Sequence, residues 1–331
     1  MISPLAIHLA GIPLQNPVIL AAGTAGYVDE LGEVLDLSRV GAICTKSITT
    51  EPRDGNATWR IIEDRRHAAM LNAIGLANVG MHAFERDFAA KLKAAPTTMI
   101  GSVSEWSIDG YVEVAAMFQR LGVPGVELNV SCPNVAHGCE FGSDDALLRD
   151  LVAGVREALT TTRLIVKLSP VVMGYRGPTG ESGVVAIARA AIEARGQPGG
   201  PNQRPGADAL AIANTVPAMA IDVRTRKPRL SRGSGGLSGP AIHPIAVKLV
   251  HDCYVGIGRD TRTPLIGVGG VTTWEDAAEF ILAGASAVEM GTATFADPRS
   301  PLTVIKGLER WVRDQRVASV ADLVGKVETT N

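Results

Sequence analysis

Short apolar runs alternate with longer amphipathic segments along most of the chain. The runs are rich in branched aliphatic residues and are apolar on both faces, which predicts parallel strands joined by helical crossovers. Eight such strands are predicted, at Pro17–Leu20, Ala42–Thr45, Thr98–Val103, Gly125–Val130, Leu164–Leu168, Ala209–Ala213, Leu265–Val268 and Ala287–Met290.

The segments between these runs carry apolar residues at spacings of three and four, as in 112–119 and 277–281. Asp144 and Thr273 stand where helix N-caps are expected. Eight such units predict a (β/α)8 TIM barrel formed by one domain over residues 1–331. The same periodicity also fits an open, doubly wound sheet, but the number of units favours the barrel.

Two stretches depart from a minimal barrel. Residues 46–97 predict a long loop region between strands 2 and 3, rich in Gly, Pro, Asn and Arg. Residues 171–206 hold two Gly/Pro-rich stretches that predict surface insertions around one helix. Long loops of this kind are typical of the mouth of a barrel that carries a site.

Composition narrows the class of protein. Hydrophobic residues make up 46% of the chain, and 32 Lys and Arg nearly balance 34 Asp and Glu. This balance gives no basis for a nucleic-acid or anionic-membrane partner. The four cysteines are too scattered for a disulfide framework or a zinc site, and no metal site is predicted. Without an apolar run of about 18 residues, we expect a soluble, cytoplasmic protein.

The predicted strands end on residues that suit a binding site. Chemistry in such barrels lies at the carboxyl ends of the strands. After strands 7 and 8 come Gly269, Gly270, Gly291 and Thr292. Glycines there let backbone N–H groups approach a phosphate, although tight turns alone would also explain them.

Charged and amide side chains follow other strands. Lys46 and Lys167 end two strands, and a buried lysine needs an anion or an electron-rich ring as its partner. A flavin ring or a carboxylate substrate would serve. The amides of a further group would suit a flat ring with alternating C=O and N–H groups, such as a pyrimidine. These residues are Asn72, Asn129, Asn134 and Asn214.

Cys132 lies between Ser131 and Pro133 on the loop after strand 4. A thiol there can act as a nucleophile, a base or an inert filler, and no adjacent histidine would activate it for hydrolysis. A free thiol has a pKa of roughly 8.5. Cys44 and Cys253 are expected in the core, and Cys139 is interpreted as a filler of the same loop.

In their order and spacing, several motifs resemble class 1 dihydroorotate dehydrogenases, closest to the catalytic subunit of the NAD-linked 1B type. The matching stretches are Thr45–Thr49, Glu51–Asn56, Met70–Leu76, Glu127–Asn134, Lys167–Pro170, Asn214–Thr215, Gly236–Pro240, Gly269–Gly270 and Gly291–Thr292. The resemblance implies oxidation of (S)-dihydroorotate to orotate in pyrimidine biosynthesis, with Cys132 as the base at C5 and FMN as the hydride acceptor.

The resemblance also implies two shells of residues. The substrate shell is Lys46, Asn72, Gly75, Leu76, Asn129, Asn134, Asn214 and Thr215. The FMN shell is Ala22, Gly23, Lys46, Ser47, Ser102, Asn129, Lys167, Ala213, Gly239, Gly269, Gly270, Gly291 and Thr292. Ser102 stands where the family usually has asparagine, and Ala213 where it has a larger aliphatic residue.

The implied assembly is a homodimer with an electron-transfer subunit that carries FAD and a [2Fe–2S] cluster and passes electrons to NAD⁺. Ala73 and Ile74 favour the 1B type, since 1A enzymes usually have serine and methionine there. Three alternatives fit the same residues. They are a fumarate-dependent 1A enzyme, an FMN-dependent paralogue acting on another dihydropyrimidine such as dihydrouracil, and a phosphate-binding isomerase without redox chemistry.

Overall fold

The computed structural model of the chain describes residues 3–130, 141–170, 180–181, 183–195 and 205–328. Its centre is a closed barrel of eight parallel strands that pair in chain order, with the last strand pairing with the first. The strands are β1 Val18–Leu20, β2 Ala42–Cys44, β3 Thr98–Val103, β4 Gly125–Asn129, β5 Arg163–Lys167, β6 Ala209–Ile212, β7 Leu265–Val268 and β8 Ala285–Met290. The predicted barrel is therefore confirmed, and the open sheet is excluded.

Helices surround the barrel and cover its outer face. They are α1 Met81–Ala94, α2 Ile108–Arg120, α3 Asp145–Ala158, α4 Gly183–Glu193, α5 His243–Cys253, α6 Trp274–Ala283 and α7 Ser300–Asp314, with short helices at Arg259–Thr261 and Ala293–Ala296. The crossover from β1 to β2 differs from the predicted pattern, because it contains two 3₁₀ turns, Glu30–Glu33 and Leu37–Arg39, in place of an α-helix.

Both predicted N-caps are confirmed. The Asp144 carboxylate accepts a hydrogen bond from the Leu147 backbone N–H at 2.9 Å and caps α3. Thr273 and Asp276 form a reciprocal capping box at the start of α6. Such caps satisfy N–H groups that have no partner within the helix. Among the described residues, no helix is long and apolar enough to cross a membrane.

A four-stranded antiparallel sheet, called here the outer sheet, lies outside the barrel. Its strands are, in spatial order, Val216–Ala218, Gly235–Ser238, Ala69–Asn72 and Ile61–Asp64. Two come from the 46–97 crossover and two from the crossover between β6 and β7. The sequence predicted a long loop region in the 46–97 crossover, but it did not predict that the two crossovers join into one sheet.

Two further hairpins complete the described chain, Ile7–Leu9 with Ile12–Leu14 and Ile221–Asp222 with Lys227–Pro228. One large apolar cluster unites the barrel strands with the inner faces of the helices. A small second cluster lies under the outer sheet around Ile62, Leu71 and Leu230. Cys44 and Cys253 are fully buried in the large cluster, as predicted.

Candidate active site

A cavity opens at the carboxyl ends of the barrel strands and is bordered by residues of the outer sheet. All but two of the predicted site residues within the described chain line it. The lining residues from the prediction are Ala22, Gly23, Lys46, Ser47, Asn72, Leu76, Asn129, Lys167, Ala213, Asn214, Thr215, Gly239, Gly269, Gly270, Gly291 and Thr292.

The remaining predicted residues lie elsewhere. Ser102 is fully buried behind Ser47, and the two hydroxyl oxygens are 2.8 Å apart. Gly75 lies between two lining residues without lining the cavity itself. Cys132 and Asn134 lie outside the described residues. Their roles stay predictions from the resemblance.

Two amide side chains form a fixed pair on one wall. The Asn214 side-chain N–H donates to Asn129 Oδ1 at 2.8 Å, and Asn214 Oδ1 accepts from the Thr215 backbone N–H at 2.8 Å. The Tyr111 hydroxyl donates to the Asn129 carbonyl at 2.7 Å and holds the end of β4. These bonds fix the amide orientations, so the wall presents a defined set of donors and acceptors to a flat polar ligand.

Lys46 supplies positive charge to the cavity. It is half-buried and forms no ion pair within the described part of the chain. Burial, and secondarily the nearby charge of Arg60, lowers the pKa of Lys46. Arg60 Nε is also buried and has no hydrogen-bond partner among the described residues. Two positive charges that form no ion pair within the described residues favour an anionic ligand.

Lys167 has a different environment at the floor of the cavity. Its ammonium lies 2.6 Å from Glu289 Oε2 and 3.7 Å from Glu127 Oε1. Burial lowers the pKa of Lys167, but the charges of Glu127 and Glu289 raise it more, so that it lies above the ordinary value. The partner that a buried lysine requires is thus a carboxylate of the chain itself.

Three glycines, called here the glycine wall, line another part of the cavity. Gly239, Gly269 and Gly270 have φ values of +90°, +136° and +71°, a region that favours glycine. A Cβ at Gly270 would lie 2.7 Å from His243 Cβ and 2.9 Å from the Gly239 carbonyl oxygen. A Cβ at Gly23 would meet no atom of the chain within 4 Å. This backbone can pack closely against a ligand, as phosphate-binding turns do.

Several lining residues were missed by the sequence analysis. Met70 and Ser238 belong to motifs that were quoted, but no role was assigned to them. Glu289 lies inside a predicted strand, and nothing in the sequence shows which face it points to. No sequence pattern marked Ile61 and Phe295 as site residues. They reach the cavity from the outer sheet and from the short helix after β8.

The closed barrel, the glycine wall and the amide and lysine side chains at the strand ends form a cavity where barrel enzymes usually have their active sites. The sequence profile of the family described as dihydroorotate dehydrogenase matches residues 4–178 and 202–312. The chain therefore belongs to the dihydroorotate dehydrogenase family.

Curated relatives match along the whole chain. The dihydroorotate dehydrogenase B (NAD(+)) catalytic subunit of Pelobacter propionicus is 43% identical over 97% of this chain and 98% of its own length. The putative dihydroorotate dehydrogenase A (fumarate) of Solibacter usitatus is 41% identical over 99% and 100%. A protein with the same A-type name from Aquifex aeolicus is 41% identical over 97% of both chains.

Proposed function

We propose that this protein oxidises (S)-dihydroorotate to orotate with bound FMN, as the catalytic subunit of a dihydroorotate dehydrogenase in pyrimidine biosynthesis. The observation that carries the proposal is the cavity itself. It combines a glycine wall, an oriented amide pair and the Lys46 ammonium at the carboxyl ends of one barrel. Membership of the family supports the same reaction.

The residues of the glycine wall fit the phosphate of FMN. Gly239, Gly269 and Gly270 line the cavity and would hold it through their backbone N–H groups. Lys167 and Ser47 line the same cavity and would contact the ring system. When bound, FMN would accept the hydride that the substrate loses.

The amide pair and Lys46 fit the substrate. Asn129 and Asn214 would hydrogen-bond the C=O and N–H groups of the dihydropyrimidine ring, together with Asn72 and the predicted Asn134. The Lys46 ammonium, whose pKa the charge of Arg60 helps to lower, would pair with the carboxylate that distinguishes dihydroorotate from dihydrouracil. A cation held in partly desolvated surroundings discriminates strongly against a ligand that lacks the matching anion.

Cys132 would take the proton from C5 of the substrate. It follows β4 by three residues, and Asn129 at the end of β4 lines the cavity. The segment that contains Cys132 therefore begins next to a residue of the cavity. Proton removal by a positioned base is the step that this chain would supply.

NAD⁺ is the proposed final acceptor, reached through a partner subunit with FAD and a [2Fe–2S] cluster, and the catalytic chain itself is proposed to form a homodimer. The B-type names of several relatives and the Ala73–Ile74 pair support this choice. The A-type names of others make direct reduction of fumarate the alternative. Absorbance of the native complex after purification distinguishes them, since FMN alone would favour the A type.

The reaction is tested by titrating the FMN-reconstituted protein with orotate and by anaerobic reduction with dihydroorotate. We expect orotate to perturb the flavin spectrum and dihydroorotate to bleach it, whereas dihydrouracil should do neither at the same concentration. A colourless protein that cannot take up FMN would contradict the cofactor. Bleaching by dihydrouracil instead of dihydroorotate would identify the paralogue.

A methyl group at Gly270 should weaken FMN binding. Gly270→Ala forces a left-handed φ on alanine and places its Cβ against His243 and Gly239. Strain of this kind is worth about 1–3 kcal/mol. We expect the Kd for FMN, measured by fluorescence quenching, to rise about tenfold, which corresponds to about 1.4 kcal/mol.

Gly122→Ala is the matched control for this variant. Gly122 has a similar φ of +81° and lies in the turn after α2, where an added Cβ would meet no atom within 4 Å. It should lose stability without a change in the Kd for FMN. Equal Kd values for Gly270→Ala and the wild type would show that the glycine wall does not hold the cofactor.

A further inference from the structure

Three ionisable side chains from three strands meet in the barrel interior beneath the cavity. Glu127 comes from β4, Lys167 from β5 and Glu289 from β8, and their exposures are 0%, 6% and 1%. In barrels of this type, inward layers are dominated by branched apolar residues. Burial of several charged groups is unfavourable unless they are paired, so packing alone does not explain this cluster.

The distances give the three groups different positions. Lys167 Nζ lies 2.6 Å from Glu289 Oε2 and 3.7 Å from Glu127 Oε1. Lys167 and Glu289 line the cavity, whereas Glu127 lies behind them and receives a hydrogen bond from the Cys44 thiol at 3.6 Å. The ammonium is therefore held mainly by Glu289.

One carboxyl oxygen of Glu127 lacks a hydrogen-bond donor in the described part of the chain. Its Oε2 is buried and has no hydrogen-bond partner within the described chain. One ammonium cannot neutralise two adjacent buried carboxylates, so one of them keeps its proton. Burial, followed by the charge of Glu289, raises the pKa of Glu127 to about 8. A proton on Glu127 that is donated toward Glu289 satisfies both groups.

We propose that Glu127 and Glu289 share one proton and one negative charge, which neutralises Lys167 and so sets the reduction potential of the flavin bound above it. The proposal rests on the proposed function, because it requires FMN in the cavity. Reduction adds negative charge to the flavin ring. A cluster of Glu127, Lys167 and Glu289 with zero net charge stabilises that negative charge less than an unpaired ammonium would. The same cluster with a net negative charge destabilises it.

Glu127 is the member of the cluster that titrates in an accessible range. The groups that face it are Cys44 on β2, Lys167 on β5 and Glu289 on β8. Burial and then Glu127 raise the pKa of Cys44 well above its ordinary value, so the thiol stays protonated. The two glutamates keep Lys167 charged. Above pH 8, loss of the Glu127 proton would therefore add one uncompensated negative charge to the floor.

The test compares the flavin midpoint potential of wild-type holoenzyme and Glu127→Gln between pH 6 and 10. The difference between the two proteins removes the pH dependence of the flavin itself. We expect equal potentials below about pH 7, where a neutral acid is replaced by a neutral amide. Above pH 8 the equilibrium constant for reduction of the wild-type flavin should be about tenfold lower than that of Glu127→Gln. This factor corresponds to a midpoint potential lower by about 30 mV for a two-electron couple.

Glu105→Gln is the matched control. Glu105 is also buried, at 6% exposure. Its carboxylate accepts hydrogen bonds from the Thr50 backbone N–H and hydroxyl, and neither residue is among those that line the cavity. It should show no pH-dependent difference in potential. The double variant Glu127→Gln/Glu289→Gln should be easier to reduce at pH 6, because Lys167 then has no counter-charge.

Two outcomes would overturn the proposal, provided that the protein binds FMN and its flavin spectrum responds to orotate. Equal potentials of wild type and Glu127→Gln up to pH 10 would show that no shared proton acts on the flavin. A difference that is already complete at pH 6 would show that both carboxylates are ionised. Failure to bind FMN or orotate would instead contradict the proposed function, so the two failures are distinguishable.

Discussion

Cys132→Ser is expected to keep its FMN and to lose about 10²- to 10⁴-fold in turnover at neutral pH, the range that a positioned general base contributes. A serine hydroxyl is a much weaker base than a thiolate, while its size is similar. The measurement is steady-state turnover with dihydroorotate, together with anaerobic flavin reduction in a stopped-flow instrument. Reduction of the flavin should slow by the same factor as turnover.

Cys139→Ser provides the control for this prediction. Both cysteines follow β4 in the sequence and lie outside the described residues, and only Cys132 is assigned to the chemistry. The control variant should retain the wild-type rate and flavin content. If Cys132→Ser reduced its flavin at the wild-type rate, another group would have to be the base. If both variants were equally slow, the loop rather than the thiol would be responsible.

The barrel strands could be predicted because their signal is local. A strand buried on both faces is mostly apolar. β3 and β7 have the predicted bounds, and the others differ by one or two residues. The caps at Asp144 and Thr273 are also local, since the capping atoms lie within three residues. The β1–β2 crossover is different, because two short 3₁₀ turns satisfy its packing without a sustained helical period.

The outer sheet could not be predicted for the opposite reason. Asn72 donates to the Gly236 carbonyl at 3.3 Å across 164 residues of sequence. Pairing of this kind depends on the barrel bringing two crossovers to one mouth, and a single sequence does not show it. The same limit applies to Glu289. Its polarity was visible inside an apolar run, but only the closed barrel shows that it faces Lys167.

The residues of the candidate site also divide into those that local sequence predicts and those that only the fold brings together. Residues at strand ends, such as Lys46 and Asn214, could be proposed because parallel strands deliver their carboxyl ends to one face. Residues from the outer sheet, such as Ile61, had no such rule to mark them. The hydrogen bond between Asn129 and Asn214 was not predictable either, because it joins β4 to the end of β6, which are not adjacent strands.

Arg156→Met is expected to lower the free energy of unfolding by about 3 kcal/mol, because it removes one partner of a buried ion pair and leaves the other. Arg156 on α3 is fully buried and donates to Asp208 at 2.5 Å and to the Gly206 carbonyl at 2.6 Å. These two residues precede β6, whose far end carries Ala213 and Asn214.

Urea unfolding monitored by circular dichroism measures this loss. Arg149→Met is the control on the same helix, since Arg149 is 3.8 Å from Glu193 and both side chains are well exposed. An exposed pair at that distance contributes at most about 1 kcal/mol. A midpoint for Arg156→Met that matches the control would show that the start of β6 is held by other contacts. Asp208 would keep Arg163 at 3.5 Å and the Leu164 backbone N–H at 2.7 Å. Because methionine keeps much of the aliphatic volume, a large loss would be attributed to the donors that Asp208 and the Gly206 carbonyl lose rather than to a cavity.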